Sequence, residues 1–503
     1  MRRPPTTLLA LTLAFATPLV AASGLGAQQP RQLRRPDAVP LAEYQARRDS
    51  LAAHVDSGVV VAFGARELVT HYGSFRPLPA FRYLTNFDEP DAVLVLVKRG
   101  GKSSSYVFVE PPGPRYQLYV GIPADSATVV RETGLARRPM AALRPALDSL
   151  ARAGLPFYTL RDFASADAAE RDTLTLGASF MRDFAAAHPG LVVKDAHPVV
   201  DRLRAHKSPR ELALLRRAIE ITDSAHRAAL RVVRPDVNER DVQAVIESTF
   251  LSGGAEGPSF SSIVGSGPNS TTLHYSRNER VMRAGEVVVM DIGASYAGYA
   301  ADVTRTLPVS GRFTAEQRAV YQIVRDAQKA AEAVARAGAK ADAWQAAADS
   351  VIARGLARLK LIDSPDAGFD APWADQCQAR PRFCKQYALF MPHGLGHGIG
   401  LEVHDPAMYY FDDRTFHEGD VFTIEPGIYV NPEVLRILPS TPRNRAMVSR
   451  IRPAVERYRN VGVRIEDDYV VTATGLEWVS RAPREISEIE TLMAASPERP
   501  PVP

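Results

Sequence analysis

The sequence predicts an α+β chain in two parts, a smaller α/β N-terminal domain followed by a larger α+β domain. Three observations predict it. Short apolar β runs alternate with helical patterns up to about residue 195. From Val199 onward, capped helices are grouped apart from strands joined by glycine-bearing turns. The chain has 503 residues, 46% hydrophobic and 23% charged, an ordinary globular composition at a length that accommodates two or more domains.

The first residues have the order of an export signal. Arg2 and Arg3 precede an uncharged, mostly apolar run over 8–22, and small residues follow, with Ala27-Gln28 a fitting cut and Ala22-Ser23 another. Residues 1–27 are therefore expected to be a cleaved signal peptide and the mature chain to be exported, to a periplasm or to the medium. The apolar run is too short for a comfortable membrane span, and no later run qualifies. Loss of two arginines would bring the net charge from +4 to about +2, too little to steer acidic partners. There is no basic stripe with interleaved aromatics and no zinc-finger spacing, which argues against nucleic-acid binding.

In the N-terminal domain, 31–195, a helix is expected over 41–53 and strands over 58–64, 92–97 and 105–110. Helices are expected near 140–153 and 177–187. No catalytic constellation is visible there, and the aromatic segment 81–90 reads as packing. The second domain, 199–490, opens with Ser208-Pro-Arg-Glu211, an N-cap, a proline at the first helical position and a glutamate at the third. Asn238 with Asp241 and Thr314 with Gln317 start further helices, and another covers roughly 341–359. Strands are expected over 286–292, with a hairpin partner over 299–307, and over 421–425 and 463–466, the last continuing through 469–472. Cys377 and Cys384 are the only cysteines; in an oxidising compartment they could form one local disulfide, which export favours, the alternative being two free thiols.

Chemistry concentrates in 391–405, where four glycines sit among His393, His397 and His404. The acids such a site needs lie elsewhere: Asp291, Asp302, Glu425 and Glu466, all within or at the ends of expected strands. Four carboxylates brought together repel and raise one another's pKa, and two divalent cations offset that. Oxygen ligands with one imidazole and no thiolate suit manganese, or another first-row ion such as zinc or cobalt. Two such ions hold a bridging water as hydroxide and polarise a carbonyl. Any one of these acids alone reads better as a surface ion pair.

The motifs that carry a family resemblance are Thr272-Leu-His-Tyr275, Met290-Asp-Ile-Gly293, Gly298 through Thr306, His393 through Asp405, Ile424-Glu-Pro-Gly427 and Val463 through Asp468. On these the sequence resembles the pita-bread metallopeptidases, in the Xaa-Pro aminopeptidase (aminopeptidase P) and prolidase branch. The segment 81–96 resembles that branch's N-terminal domain, so the resemblance covers nearly the whole mature chain. It implies a pita-bread catalytic domain and an enzyme that removes the N-terminal residue from peptides whose second residue is proline. It implies that Asp291, Asp302, His397, Glu425 and Glu466 ligate two metal ions, with Asp302 and Glu466 bridging. It further implies Glu425 as general base, His404 on the substrate carbonyl, His274 near the scissile bond, His393 facing the proline side and Arg464 orienting the ligands. A homodimer or higher oligomer is implied as well.

The chain departs from the branch in an Arg/Pro-rich insertion over about 433–459, in Pro392 within Met391-Pro-His-Gly, and in the Cys-bearing segment 372–385. The nearest rival activity is that of a prolidase restricted to Xaa-Pro dipeptides. A reading of another class is an inactive peptide-binding module, opposed by retention of all five ligand positions. The same retention opposes a metal-free creatine-hydrolysing relative, and the large N-terminal domain opposes a methionine aminopeptidase.

Overall fold

A computed structural model describes residues 39–66, 75–110, 113, 117–118, 125–160, 176–411 and 414–495. The expected signal peptide and most of the lead-in that follows it lie outside the described residues. Residues 37–503 cluster as one unit. No helix among the described residues is long and apolar enough to cross a membrane.

The N-terminal part is built on a six-stranded mixed sheet. Its strands run, edge to edge, Ala136–Pro139, Lys102–Val109, Val93–Arg99, Gly58–Phe63, Phe157–Thr159 and Val193–Asp195. Gly58–Phe63 pairs antiparallel with Val93–Arg99 and parallel with Phe157–Thr159. Gly58–Phe63 and the first five residues of Val93–Arg99 carry no polar side chain because both faces of the sheet are covered there. Val60, Ala62, Leu94 and Leu96 join a core under the helix Leu41–Ala53, while Val59, Val61, Val93 and Val95 join a second core that includes Leu147 and Phe184.

The C-terminal part has one large core. The capping signals are realised: Ser208 and Glu211 form a reciprocal box at the start of helix Pro209–Ala229, as do Asn238 and Asp241 at Glu239–Ser252 and Thr314 and Gln317 at Ala315–Glu332. Each box satisfies two backbone N–H groups that the first turn leaves without partners.

The strands depart from expectation at two points that bear on the site. Val287–Ile292 does pair with Val303–Pro308, but the expected 299–307 strand is interrupted. Ala294–Tyr296 and Tyr299–Ala300 form a small hairpin of their own, and Asp302 falls in the gap. Likewise 463–472 is not one continuous strand. Val461–Arg464 pairs with Gly427–Val430, whereas Asp467–Thr472 pairs with Val421–Ile424, so Glu466 sits where the chain passes from one sheet to the other. At such a break a side chain is freed from strict in–out alternation.

The Arg/Pro-rich insertion contains a regular helix, Pro442–Arg457, capped by Thr441, with Met447, Ile451 and Val455 buried at helical spacing. Of the two readings of the cysteines, the favoured disulfide is not formed: Cys377 and Cys384 are free thiols. They flank the turn between the short helix Ala374–Ala379 and the 3₁₀ turn Pro381–Cys384. Loss of solvent and a thiol–thiol hydrogen bond to Cys384 push the Cys377 pKa up to about 11.

Candidate active site

Every residue singled out from the sequence lines one cavity of about 970 Å³: His274, Asp291, Asp302, His393, His397, His404, Glu425, Arg464 and Glu466. Strand register accounts for much of this. Asp291 lies opposite Thr304, and Thr304 bridges in turn to Glu466 through Glu466 N–H donating to its carbonyl at 3.1 Å. The three thus form a row across two sheets. The histidine-rich stretch runs beside Val421–Ile424: Thr423 N–H donates to the His397 carbonyl and Glu425 N–H to the Leu395 carbonyl, both at 2.8 Å. Here the glycines serve close approach. None of Gly394, Gly396, Gly398 or Gly400 has a positive φ, but a Cβ at Gly396 would strike the Thr423 carbonyl and one at Gly398 the Asp405 carbonyl.

Asp302, His397 and Glu466 converge tightly, with ligand atoms within 4.8 Å of one another. His397 Nε2 is 3.5 Å from Asp302 Oδ2 and 3.8 Å from both Glu425 Oε1 and Glu466 Oε1. Asp291 stands beside this group with Oδ2 held by Arg464 Nη2 at 2.5 Å. Arg464 also donates to the Tyr429 hydroxyl at 2.8 Å and to Thr304 Oγ1 at 3.3 Å. Tyr429 reaches His393 Nε2 at 2.9 Å, and the His397 and His404 rings lie 4.1 Å apart.

The electrostatics are those of several carboxylates buried close together. Burial raises the Asp302 carboxyl well above its usual range, and Glu466 and Asp291 raise it further. Burial does the same to Glu466, reinforced by Glu425 and Asp291. Glu425 is pushed up to about 8, mainly by burial. The imidazoles move the other way. Burial lowers both to about 3, aided at His397 by His404 and at His393 by Arg464, so both rings are neutral and His397 can ligate.

These residues fit a metal centre on an independent observation. Asp291 Oδ1, Asp302 Oδ1 and Glu466 Oε1 are buried with no hydrogen-bond partner. Buried polar atoms are almost always satisfied, and a carboxylate oxygen left bare costs about 1–3 kcal/mol or more. Three such oxygens beside a neutral imidazole are what divalent cations would satisfy.

The sequence did not single out several parts of this site. Tyr429 sits four residues beyond Glu425 in a run that looks purely structural. The N-terminal part, in which no constellation was visible, contributes Arg76, Pro77, Leu78, Pro79 and Arg82 to the cavity wall. Further apolar lining comes from Phe260, Leu273 and Leu401. Helix His197–Ala205 and the turn after it also grip the histidine-rich stretch. Arg204 Nη2 donates to Glu402 Oε2 at 2.5 Å and to Asp405 Oδ1, and Lys207 Nζ to Asp405 Oδ2 at 2.8 Å. No local pattern announces contacts that span about two hundred residues.

A fold and cavity of this kind define a metal-dependent hydrolase class, and the comparisons agree. A family profile described as metallopeptidase family M24 matches residues 213–473, and one described as the aminopeptidase P N-terminal domain matches residues 44–154. The chain is 32% identical over 463 residues to a Xaa-Pro aminopeptidase of Escherichia coli strain K12, covering 90% of this chain and 98% of that one. It is 31% identical over 424 residues to a Xaa-Pro aminopeptidase of Haemophilus influenzae, covering 83% and 88%. Among solved structures it superposes on proline aminopeptidase P II from Yersinia pestis with a TM-score of 0.73 at 31% identity, covering 91% and 100%. The chain belongs to metallopeptidase family M24, in its pita-bread Xaa-Pro aminopeptidase branch. It is a metallo-aminopeptidase, with divalent metal ions as its cofactor class.

Proposed function

We propose that this enzyme hydrolyses the N-terminal residue from peptides with proline in the second position. One observation carries the reading: three buried, unpartnered carboxylate oxygens converge with neutral imidazole on a cavity of about 970 Å³. The relatives named above support the proline preference. An Xaa-Pro bond is a tertiary amide with a rigid ring, which ordinary peptidases accommodate poorly and an apolar wall such as Phe260, Leu273 and Leu401 suits.

Asp291, Asp302, His397, Glu425 and Glu466 would hold the ions, with manganese the favoured metal and zinc or cobalt alternatives. When bound, the ions supply an acidified water near neutral pH and polarise the substrate carbonyl. Glu425 takes a proton from the attacking water and delivers it to the leaving proline nitrogen, the role of a general base and then acid. His404 donates a hydrogen bond to the carbonyl oxygen as negative charge grows there, an interaction worth about 3 kcal/mol in comparable sites. His393, held by Tyr429, faces the proline side, and His274 at the cavity wall contacts substrate near the scissile bond. Arg464 holds Asp291 in place without touching substrate.

Export through a cleaved 1–27 signal and assembly as a homodimer or higher oligomer belong to the same proposal. Sequencing the N-terminus of the exported protein and sedimentation of the purified enzyme test them. The activity is tested by stripping metal with a chelator, adding back manganese, zinc or cobalt, and comparing Gly-Pro-Leu with Gly-Pro. Cleavage of the tripeptide only after add-back is expected. Turnover of the dipeptide alone would make the enzyme a prolidase.

A further inference from the structure

The arginines that line the cavity differ in how they are engaged. Arg464 holds Asp291, Arg82 pairs with Glu256, and Arg76 donates to the Pro258 carbonyl at 2.8 Å. Arg380 lines the same cavity, yet its guanidinium has no hydrogen bond or ion pair among the described residues. Its neighbour Arg382 shows what an engaged guanidinium looks like here. It binds Asp349 through two nitrogens, at 2.9 and 2.8 Å, and donates to the His393 carbonyl at 3.0 Å.

The backbone around Arg380 is fixed although its side chain is free. Arg380 N–H donates to the Gln376 carbonyl at 2.8 Å, ending the short helix Ala374–Ala379. Phe383 N–H returns to the Arg380 carbonyl at 3.0 Å, and Trp373 Nε1 donates to the Phe383 carbonyl at 3.0 Å. Through Arg382 the segment is fastened to His393. The guanidinium of an exposed arginine that lines such a cavity is a fork of donors whose natural partner is a carboxylate. Of the five carboxylates in the cavity wall, cations would neutralise Asp291, Asp302, Glu425 and Glu466, and Arg204 engages Glu402, so a carboxylate arriving at Arg380 meets attraction rather than net repulsion.

We propose that Arg380 is a specificity-determining residue that binds a carboxylate of the substrate beyond the proline, and so favours peptides that carry one there. The inference rests on the peptidase reading above and names the substrate class of that site. The carboxylate has two chemical sources, the peptide C-terminus or an acidic side chain.

The test measures KM for cleavage, and dissociation constants by calorimetry, for two peptide pairs. One pair is Gly-Pro-Ala against its C-terminal amide. The other is Gly-Pro-Asp-amide against Gly-Pro-Asn-amide. Exposed charge pairs contribute up to about 1 kcal/mol, so the preferred acid is expected to show an about fivefold lower KM than its neutral counterpart. In Arg380→Gln that ratio falls to about one, and Arg380→Lys restores part of it. A ratio in the first pair assigns the C-terminus, and one in the second assigns the side chain. Either ratio persisting unchanged in Arg380→Gln, or absent from both pairs in the unaltered enzyme, overturns the inference. Binding with the expected ratio but no cleavage would keep this inference and sink the proposed activity.

Discussion

Lys207 Nζ and Asp405 Oδ2 meet at 2.8 Å with both side chains almost wholly out of solvent. Lys207 follows helix His197–Ala205, and Asp405 ends the glycine- and histidine-rich stretch directly after His404. The pair ties the connection between the two halves of the chain to the loop that presents an active-site imidazole. Lys207 donates also to the Pro406 carbonyl, and Arg204 shares the same carboxylate.

Lys207→Met should therefore lower both stability and turnover. Removing one partner leaves Asp405 buried with incomplete compensation, at a cost of about 2 kcal/mol. Urea unfolding should show it as a lowered midpoint, and kcat on Gly-Pro-Leu should fall more than KM rises. A variant with wild-type kcat would separate this clamp from His404.

Arg464→Lys should weaken metal binding while leaving the fold standing. Lysine keeps the charge but not the planar fork that reaches Asp291, Tyr429 and Thr304 together. Loss of an orienting contact of this kind typically costs about 10- to 100-fold in metal affinity. Calorimetric titration of the metal-free protein with manganese reads the change directly.

Metal affinity and metal-free stability should move in opposite directions with pH. Burial raises the Asp302, Glu466 and Glu425 carboxyls, Glu425 to about 8 against an ordinary 4.5. A group whose folded pKa is raised contributes stability that is complete below its unfolded value and is lost as pH rises through the folded one. The metal-free protein should therefore melt at lower temperature as pH goes from about 5 to 8, through these groups. Cations compete with those protons, so manganese should bind more tightly, and raise the melting temperature more, at pH 8 than at pH 6. An equal metal-induced shift at both pH values would contradict the site electrostatics described here.

Asp467→Asn should be among the most damaging substitutions outside the metal group. Burial opposes ionisation of this carboxyl, but Arg305 and Arg484 overcome it and lower its pKa to about 2. A depressed carboxyl contributes stability above its unfolded value of 3.8 that is lost as pH falls through the folded one. Neutralising it leaves two buried guanidiniums short of a counter-charge, a loss of about 3–5 kcal/mol. Chemical denaturation at pH 7 should show a large fall in the unfolding midpoint.

What the sequence alone determined is local. Helix starts at Ser208, Asn238 and Thr314 were legible because a cap is a contract among residues three apart. The apolar runs at 58–64 and 92–97 announced strands because burial on both faces removes polar alternation. Of the nine residues singled out, Asp291, Asp302, His397, Glu425 and Glu466 stood out because four acids with an imidazole have few uses in combination other than holding cations, and His274, His393, His404 and Arg464 through the family resemblance of the motifs around them. The tertiary structure decided where strands stop, since pairing partners far along the chain break 299–307 beside Asp302 and 463–472 at Glu466. It also decided which glycine-flanked backbone could press against Thr423, and that Tyr429, Arg76, Arg204 and Lys207 belong to the site. Those contacts join residues tens to hundreds of positions apart, and no local preference encodes a meeting that only packing brings about.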